Sequence, residues 1–294
     1  MLYPLTFVFQ FLVFVFLNLF LQTKKAKKIL KSKKNHRRGI IGLLVLQIIS
    51  IALLRKEIGD VMLFSGAGWY FRHKVDFYFI DQDHSQYPFF PFLLSGGEVA
   101  IWMPDEIPFL TFSFYLKFFF LLPCLYYLSY FIFKTYKKES VLKARFVQLQ
   151  FLTSPITYSI VLFHGQPDVL LIALFFISAK LFLQSKKYER LFLSGVFYGV
   201  SIGVKTWSVL FLPLILKFQK NLIRTFVFSL VAVAFLFINV FIYTRSVYGS
   251  SFSTVLPAIL KSGGGLGVWG IPYLLFPLPK IFNWIKINNL LFFG

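Results

Sequence analysis

The sequence predicts an all-α, polytopic integral membrane protein, and three observations carry that prediction. The 294 residues are 57% apolar and 21% aromatic but only 14% charged, against about 25% charged in soluble domains. The mean hydropathy is +0.72. Apolar runs of about 20 residues, enough to cross a bilayer as helices, alternate with short basic runs. A chain this apolar cannot clothe a water-facing surface, and helices are the structures that satisfy their own backbone in lipid.

The segments follow in order. Met1–Gln22 has its basic cluster after it rather than before it, so it reads as a retained helix with an outside N-terminus and not as a signal peptide. It runs inward to a basic loop ending at Arg38, and Gly39–Leu54 returns outward. Residues 55–106 form a long outer loop. Ile107–Phe133 runs in, Phe146–Phe163 out, and Asp168–Leu183 in again. Leu191–Val204 and Trp207–Leu216 are each too short to cross alone, and they pair as an out-and-back hairpin meeting near Lys205. Ile223–Tyr243 runs out, and residues 244–266 form a second outer loop. Pro272, Pro277 and Pro279 interrupt the apolar remainder. On length alone the path gives about 8–10 membrane segments in a single transmembrane domain, residues 1–294. The chain stops abruptly after the apolar run Leu290-Leu291-Phe292-Phe293-Gly294, which leaves a truncated chain open.

Charge follows the same path. The net charge of +20 is gathered into runs between apolar segments: Lys24 to Arg38, Lys134 to Arg145, Lys186 to Arg190 and Lys217 to Arg224. This is the pattern of cytoplasmic loops under the positive-inside rule, with anionic lipid head groups as natural neighbours. It is not a nucleic-acid footprint, because no stretch outside the apolar segments is long enough to present a groove. The acids segregate independently. Glu57, Asp60, Asp76, Asp81, Asp83, Glu98, Asp105, Glu106 and Asp168 fall outside, whereas Glu139 and Glu189 fall inside. Chemistry, if present, is therefore expected on the outer face. A single thiol, Cys124, excludes an internal disulfide and reads as a small buried hydrophobe.

Five features lie on that face or at outer helix ends, where polar groups are costly unless paired or used. Asp60, directly after a transmembrane helix, is either an interfacial acid beside Arg55 or Lys56, or a general base for an acceptor hydroxyl. Tyr87-Pro88 opens the next apolar element. His164-Gly165-Gln166-Pro167-Asp168 is a helix-to-helix turn. Gly165 and Pro167 suffice for the turn itself, whereas His164, Gln166 and Asp168 add three hydrogen-bonding side chains. Lys205 sits in apolar sequence and must snorkel outward or meet an anion; a lipid phosphate is the anion available at that depth. Arg245 precedes Tyr248-Gly249. Gly195, Gly199 and Gly203 recur every four residues, which favours close helix packing and not catalysis. Asp81-Gln82-Asp83-His84 reads as a solvated acidic run more readily than as a metal site.

Together these segments resemble the GT-C superfamily, which implies a GT-C-like helical bundle. Asp60-Val61, Ser65-Gly66-Ala67-Gly68-Trp69-Tyr70 and Tyr87-Pro88 are similar to the first outer loop of polyprenyl-phosphate-mannose-dependent alpha-mannosyltransferases and of the catalytic subunit of GPI mannosyltransferase I. Ser154-Pro155, the 164–168 turn, the Lys186-Lys187 loop, Leu193-Ser194-Gly195, Lys205 and Pro213 follow that family's order, so the resemblance spans roughly Ile58 to Leu216. Tyr87-Pro88-Phe89 lacks the family's second proline, the N-terminal helix is extra, and relatives continue with further helices.

The resemblance implies a membrane glycosyltransferase that moves a hexose, with mannose expected first, from a polyprenyl-phosphate donor to a lipid, glycan or protein acceptor on the extracytoplasmic face. Asp60 would be the catalytic base. His164, Gln166, Asp168 and Tyr87 would line the substrate site, with Lys205 and Arg245 toward the carrier phosphate. No cofactor and no divalent metal are expected, because a lipid-phosphate donor has no diphosphate to offset. The location implied is the plasma membrane of a prokaryote or the endoplasmic reticulum of a eukaryote. The alternatives are a flippase or transporter of lipid-linked sugars, for which Lys117 is the main polar residue within a span, and a non-catalytic relative.

Overall fold

The computed structural model describes residues 2–53, 70, 73–76, 114–184, 187–204, 208, 211–217 and 221–255. Every regular element among them is helical. In chain order these are α1 (Leu2–Gln22), α2 (Lys24–Leu30), α3 (Lys33–Leu53), a π-helical turn (Leu116–Leu121) leading into α4 (Leu122–Tyr136), and α5 (Val141–Thr153). Then come α6 (Pro155–Thr157), which continues as a second π-helical turn (Tyr158–Phe163), α7 (Asp168–Gln184), α8 (Tyr188–Val204), α9 (Leu212–Lys217) and α10 (Leu222–Ser246).

Five of the described helices are long and apolar enough to cross a membrane: Leu5–Gln22, Lys33–Leu53, Leu116–Tyr136, Val141–Phe163 and Leu222–Ser246. Their exteriors are apolar. Leu5, Phe9, Leu12, Phe16 and Leu19 of α1 are exposed, as are Phe226, Leu230, Val233, Phe237 and Phe241 of α10. The polar side chains Gln10, Gln47, Lys117, Ser178 and Ser194 are buried instead. Apolar outside and polar inside inverts the arrangement water imposes, and it suits a lipid solvent.

The basic run between α1 and the apolar part of α3 is helical, where the sequence suggested a loop. Lysine and arginine are good helix formers, and each short piece is capped. Thr23 Oγ1 accepts from Ala26 N at 3.2 Å to start α2, and Ser32 Oγ accepts from Asn35 N at 3.4 Å near the start of α3. Helix α3 therefore begins at Lys33, inside the basic cluster, rather than at Gly39. Helix α8 likewise begins at Tyr188, which makes it 17 residues long. That length is near the lower limit for crossing, and α7 has the same length.

Two compact units are formed, Met1–Ser65 with Asp105–Ala173, and Gly66–Pro104 with Leu174–Gly294. The first contains α1 to α6. Helices α1, α2 and α3 all pack against α5, and α4 returns along it. In the second, α8 and α10 pack along their length. Their seam is lined by Phe182, Leu191, Tyr198, Ile202, Ile215, Phe228 and Ala232. The small-residue spacing accounts for it: a Cβ on Gly195 would lie 2.7 Å from Val231 Cβ, and one on Gly199 would lie 2.8 Å from Ala232 O. Ser178 and Ser194 join α7 to α8 reciprocally, each hydroxyl donating to the other's carbonyl at 2.8 Å.

Candidate functional site

The site begins with a break in a helix. Pro155 has no N–H, and Ser154 before it is extended at ψ 126°, as residues preceding proline prefer. The break strips carbonyls at the end of α5 of their helical donors. Amides from neighbouring helices replace them. Asn18 Nδ2 of α1 donates to Gln150 O at 3.1 Å and to Thr153 Oγ1 at 3.2 Å. Gln47 Nε2 of α3, itself 1% exposed, donates to Leu152 O at 3.0 Å. Side chains that re-satisfy a broken helix in this way are what permit a break at membrane depth.

Beyond Pro155 the chain winds as a π-helical turn, a geometry found disproportionately at functional positions. It is held on α1: Tyr158, 1% exposed, donates its hydroxyl to Gln10 Oε1 at 2.8 Å and stacks on Phe14 at 4.6 Å. The turn ends at the predicted polar patch. His164 N donates to Ser159 O at 2.9 Å and Gln166 N to Ile160 O at 3.0 Å. Gly165 between them has φ 69°, the left-handed conformation a helix end uses glycine for. Leu171 N donates to Pro167 O at 3.0 Å, so α7 starts at once. Asp168 stands in its first turn, where the helix dipole favours a carboxylate.

The side chains divide as the site would need. Gly165 and Pro167 are buried, Gln166 and Asp168 are half-buried, and His164 is exposed with its ring edge-on to Phe163 at 5.2 Å. Beneath them lies Lys117, which is 0% exposed. Its Nζ donates to Phe163 O at 3.0 Å, placing a cation on the carbonyl end of the π turn. Three polar side chains thus sit on one short turn that follows a π turn held by Gln10 of α1 and by Lys117.

No protein-family model, curated protein or solved structure matches the chain. The residues themselves therefore carry the reading that follows.

His164, Gln166 and Asp168 are brought together on one turn of the first unit. Arg245 belongs to the second, at the end of α10, exposed and lying 5.3 Å over the Phe241 ring. Asp60, Tyr87 and Lys205 lie outside the described residues, as does the Asp81–His84 run. Among the described residues, no group of three or more His, Cys, Asp or Glu is placed to hold a metal.

Near Arg245 the structure adds contacts that sequence reading passed over. Tyr243, 3% exposed, donates to Oδ1 of Asp76, 7% exposed, at 3.2 Å. Tyr248 N donates to Lys74 O at 3.2 Å, and Lys74 Nζ lies 5.2 Å over the Tyr248 ring. Lys74 has φ 58°, a strained value for a side chain of its size. Residues 74–76 are thereby fastened to the end of α10. Asp76 had counted only as one outer acid among several. The amides Gln10, Asn18 and Gln47 were legible only as isolated polar residues in apolar runs, the usual mark of helix-helix bonding within a membrane.

Proposed function

We propose that the chain is a polytopic membrane glycosyltransferase of the GT-C type, with about 8–10 membrane segments, that takes a hexose from a polyprenyl-phosphate donor. The observation that carries the reading is the turn His164-Gly165-Gln166-Pro167-Asp168, a rigid, polar, partly exposed element at the end of an apolar helix. Its rigidity is supported by Gly165 at φ 69° and by the Lys117–Phe163 bond. A turn that served only to reverse the chain would need none of its three polar side chains.

In this reading Asp60 removes the proton from the acceptor hydroxyl, whose oxygen attacks the anomeric carbon while the carbon–phosphate oxygen bond breaks. Polyprenyl phosphate leaves with the electron pair. Lys205 and Arg245 stabilise the charge growing on it, while His164, Gln166, Asp168 and Tyr87 orient the sugar. The chemistry would face the extracytoplasmic side, in the plasma membrane of a prokaryote or the endoplasmic reticulum of a eukaryote. Mannose is the sugar the motif order suggests.

The test is to incubate membranes containing the chain with radiolabelled polyprenyl-phosphate mannose and to look for label in lipid or protein. Transfer that is lost in Asp60→Asn supports the reading. Lys205→Met should raise the apparent donor KM far more than the acceptor KM. No transfer from any polyprenyl-phosphate hexose would sink the assignment.

One observation favours a second reading, transport of a lipid-linked sugar. The helix interrupted at Ser154-Pro155 and the enclosed Lys117 together are features that transporters use to line a path. Movement of labelled lipid-linked sugar across vesicles, without transfer to an acceptor, would favour it.

A further inference from the structure

We propose that α2 and the start of α3 form a docking surface for anionic phospholipid. This rests on the membrane-spanning part of the reading above and is independent of any transferase chemistry.

From Lys24 to Arg38 the chain carries nine lysines and arginines, no acid and no Phe, Tyr or Trp. The structure turns this run into a fixed elbow. Ala26 and Leu30, one helical turn apart, are 2% and 4% exposed and seat α2 against α5. Lys27 Nζ lies 5.5 Å over the Phe146 ring. Arg145 of α5 donates through Nη1 to Leu30 O at 2.9 Å and also to Lys31 O. That arginine holds the elbow's carbonyls from beneath, so both faces are committed: one to packing, the other to cations.

All nine cationic residues from Lys24 to Arg38 are exposed, and none is paired with a carboxylate among the described residues. The nearest basic run differs, because Lys143 there is already ion-paired with Glu139. Unneutralised cations held this close repel one another unless anions come to them.

The surroundings select the anion. The elbow joins α1 to α3, and both continue away from it with exposed apolar side chains, Phe16 and Leu19 on α1 and Ile41 and Val45 on α3. A molecule presenting phosphates beside hydrocarbon fits that boundary, and anionic phospholipid does so. A single-stranded nucleic acid would want exposed aromatic side chains to stack on, and the elbow offers none: it has no Phe, Tyr or Trp, and His36 is buried against Phe133.

The test uses the full chain in vesicles. With Cys124→Ala as background, a fluorophore is placed at Ile29→Cys, an exposed position on α2. Quenching by brominated phosphatidylglycerol is compared with quenching by brominated phosphatidylcholine. The phosphatidylglycerol should quench more strongly, and the preference should shrink as salt rises. Replacing Lys24, Lys25, Lys28 and Lys31 by Gln should lower it, by up to about fivefold for each charge removed. Equal quenching by both lipids would overturn the proposal, as would a preference undiminished by all four substitutions or insensitive to salt. The salt titration needs only the labelled chain with all nine cations in place, so it decides even if the fourfold variant folds poorly. Suppression by inorganic phosphate beyond that of chloride at equal ionic strength would reassign the surface to a soluble anion. Tight binding of an RNA oligonucleotide, lost with the same lysines, would reassign it to nucleic acid. Extraction of the chain from vesicles by alkaline carbonate would instead defeat the membrane reading itself, which separates the two failures.

Discussion

Lys117 Nζ donates to the carbonyl oxygen of Phe163 at 3.0 Å, from a side chain with no solvent exposure. The bond links the π-helical turn that leads into α4 to the residue immediately before His164. A charge-assisted bond in such surroundings contributes about 1.5–3 kcal/mol. Lys117→Met should therefore lower the melting temperature in detergent and loosen the turn, while Lys117→Arg should keep much of both. Loosening is read as faster modification of a cysteine placed at Gln166. If Lys117→Met leaves both melting and labelling unchanged, the bond is incidental.

The α8–α10 seam makes a sharper stability prediction. A Cβ on Gly199 would lie 2.8 Å from the backbone oxygen of Ala232, which cannot swing aside, whereas one on Gly42 meets nothing within 4 Å. Gly199→Ala should cost about 1–3 kcal/mol by overpacking. Gly42→Ala, in the exposed middle of α3, should be neutral or stabilising by up to about 1 kcal/mol. Thermal melts of the two variants side by side decide it, and equal behaviour would sink the packing argument.

Topology is checked by single cysteines in intact cells. Those placed at Ser32 and Ser185, in basic runs, should be shielded from impermeant thiol reagents. Those at Ser85 and Ser251, in the two segments expected outside, should label. Labelling at Ser32 from outside would invert the orientation and with it the proposed extracytoplasmic site.

Asp60 is the residue on which the proposed mechanism turns. Asp60→Asn keeps the shape of the side chain but cannot accept a proton at neutral pH, so turnover should fall by about 10²–10⁴-fold with membrane insertion intact. Asp81→Asn and Asp83→Asn should matter much less. Near-normal transfer in Asp60→Asn together with loss in either of the others would falsify the assignment, and loss of activity in EDTA would then point to a metal held by the Asp81–His84 run.

Much of this architecture is legible in the residues because apolar length marks a helix segment by segment. Twenty apolar residues in a row must cross a membrane or be buried. The long apolar helices at Leu5–Gln22, Leu116–Tyr136 and Leu222–Ser246 follow from that alone. The polar turn at 164–168 was likewise visible, because three hydrogen-bonding side chains stand between two apolar helices. Helix ends were less so: α3 starts at Lys33 because capping by Ser32 and the helical preference of lysine outweigh the charge that marked the segment as a loop.

By itself, then, the sequence determined which segments are apolar helices, where the charges gather and which turn is rich in polar groups, since each depends on neighbours along the chain. Only the tertiary structure decided that Asn18 and Gln47 cap the break before Pro155, that Arg145 fastens the basic elbow and that Lys117 reaches Phe163. These bonds join residues 46 to 132 positions apart. A buried polar group must find a partner, but composition and spacing do not say which distant carbonyl it will be; packing brings the two within 3 Å or so of each other and makes the choice.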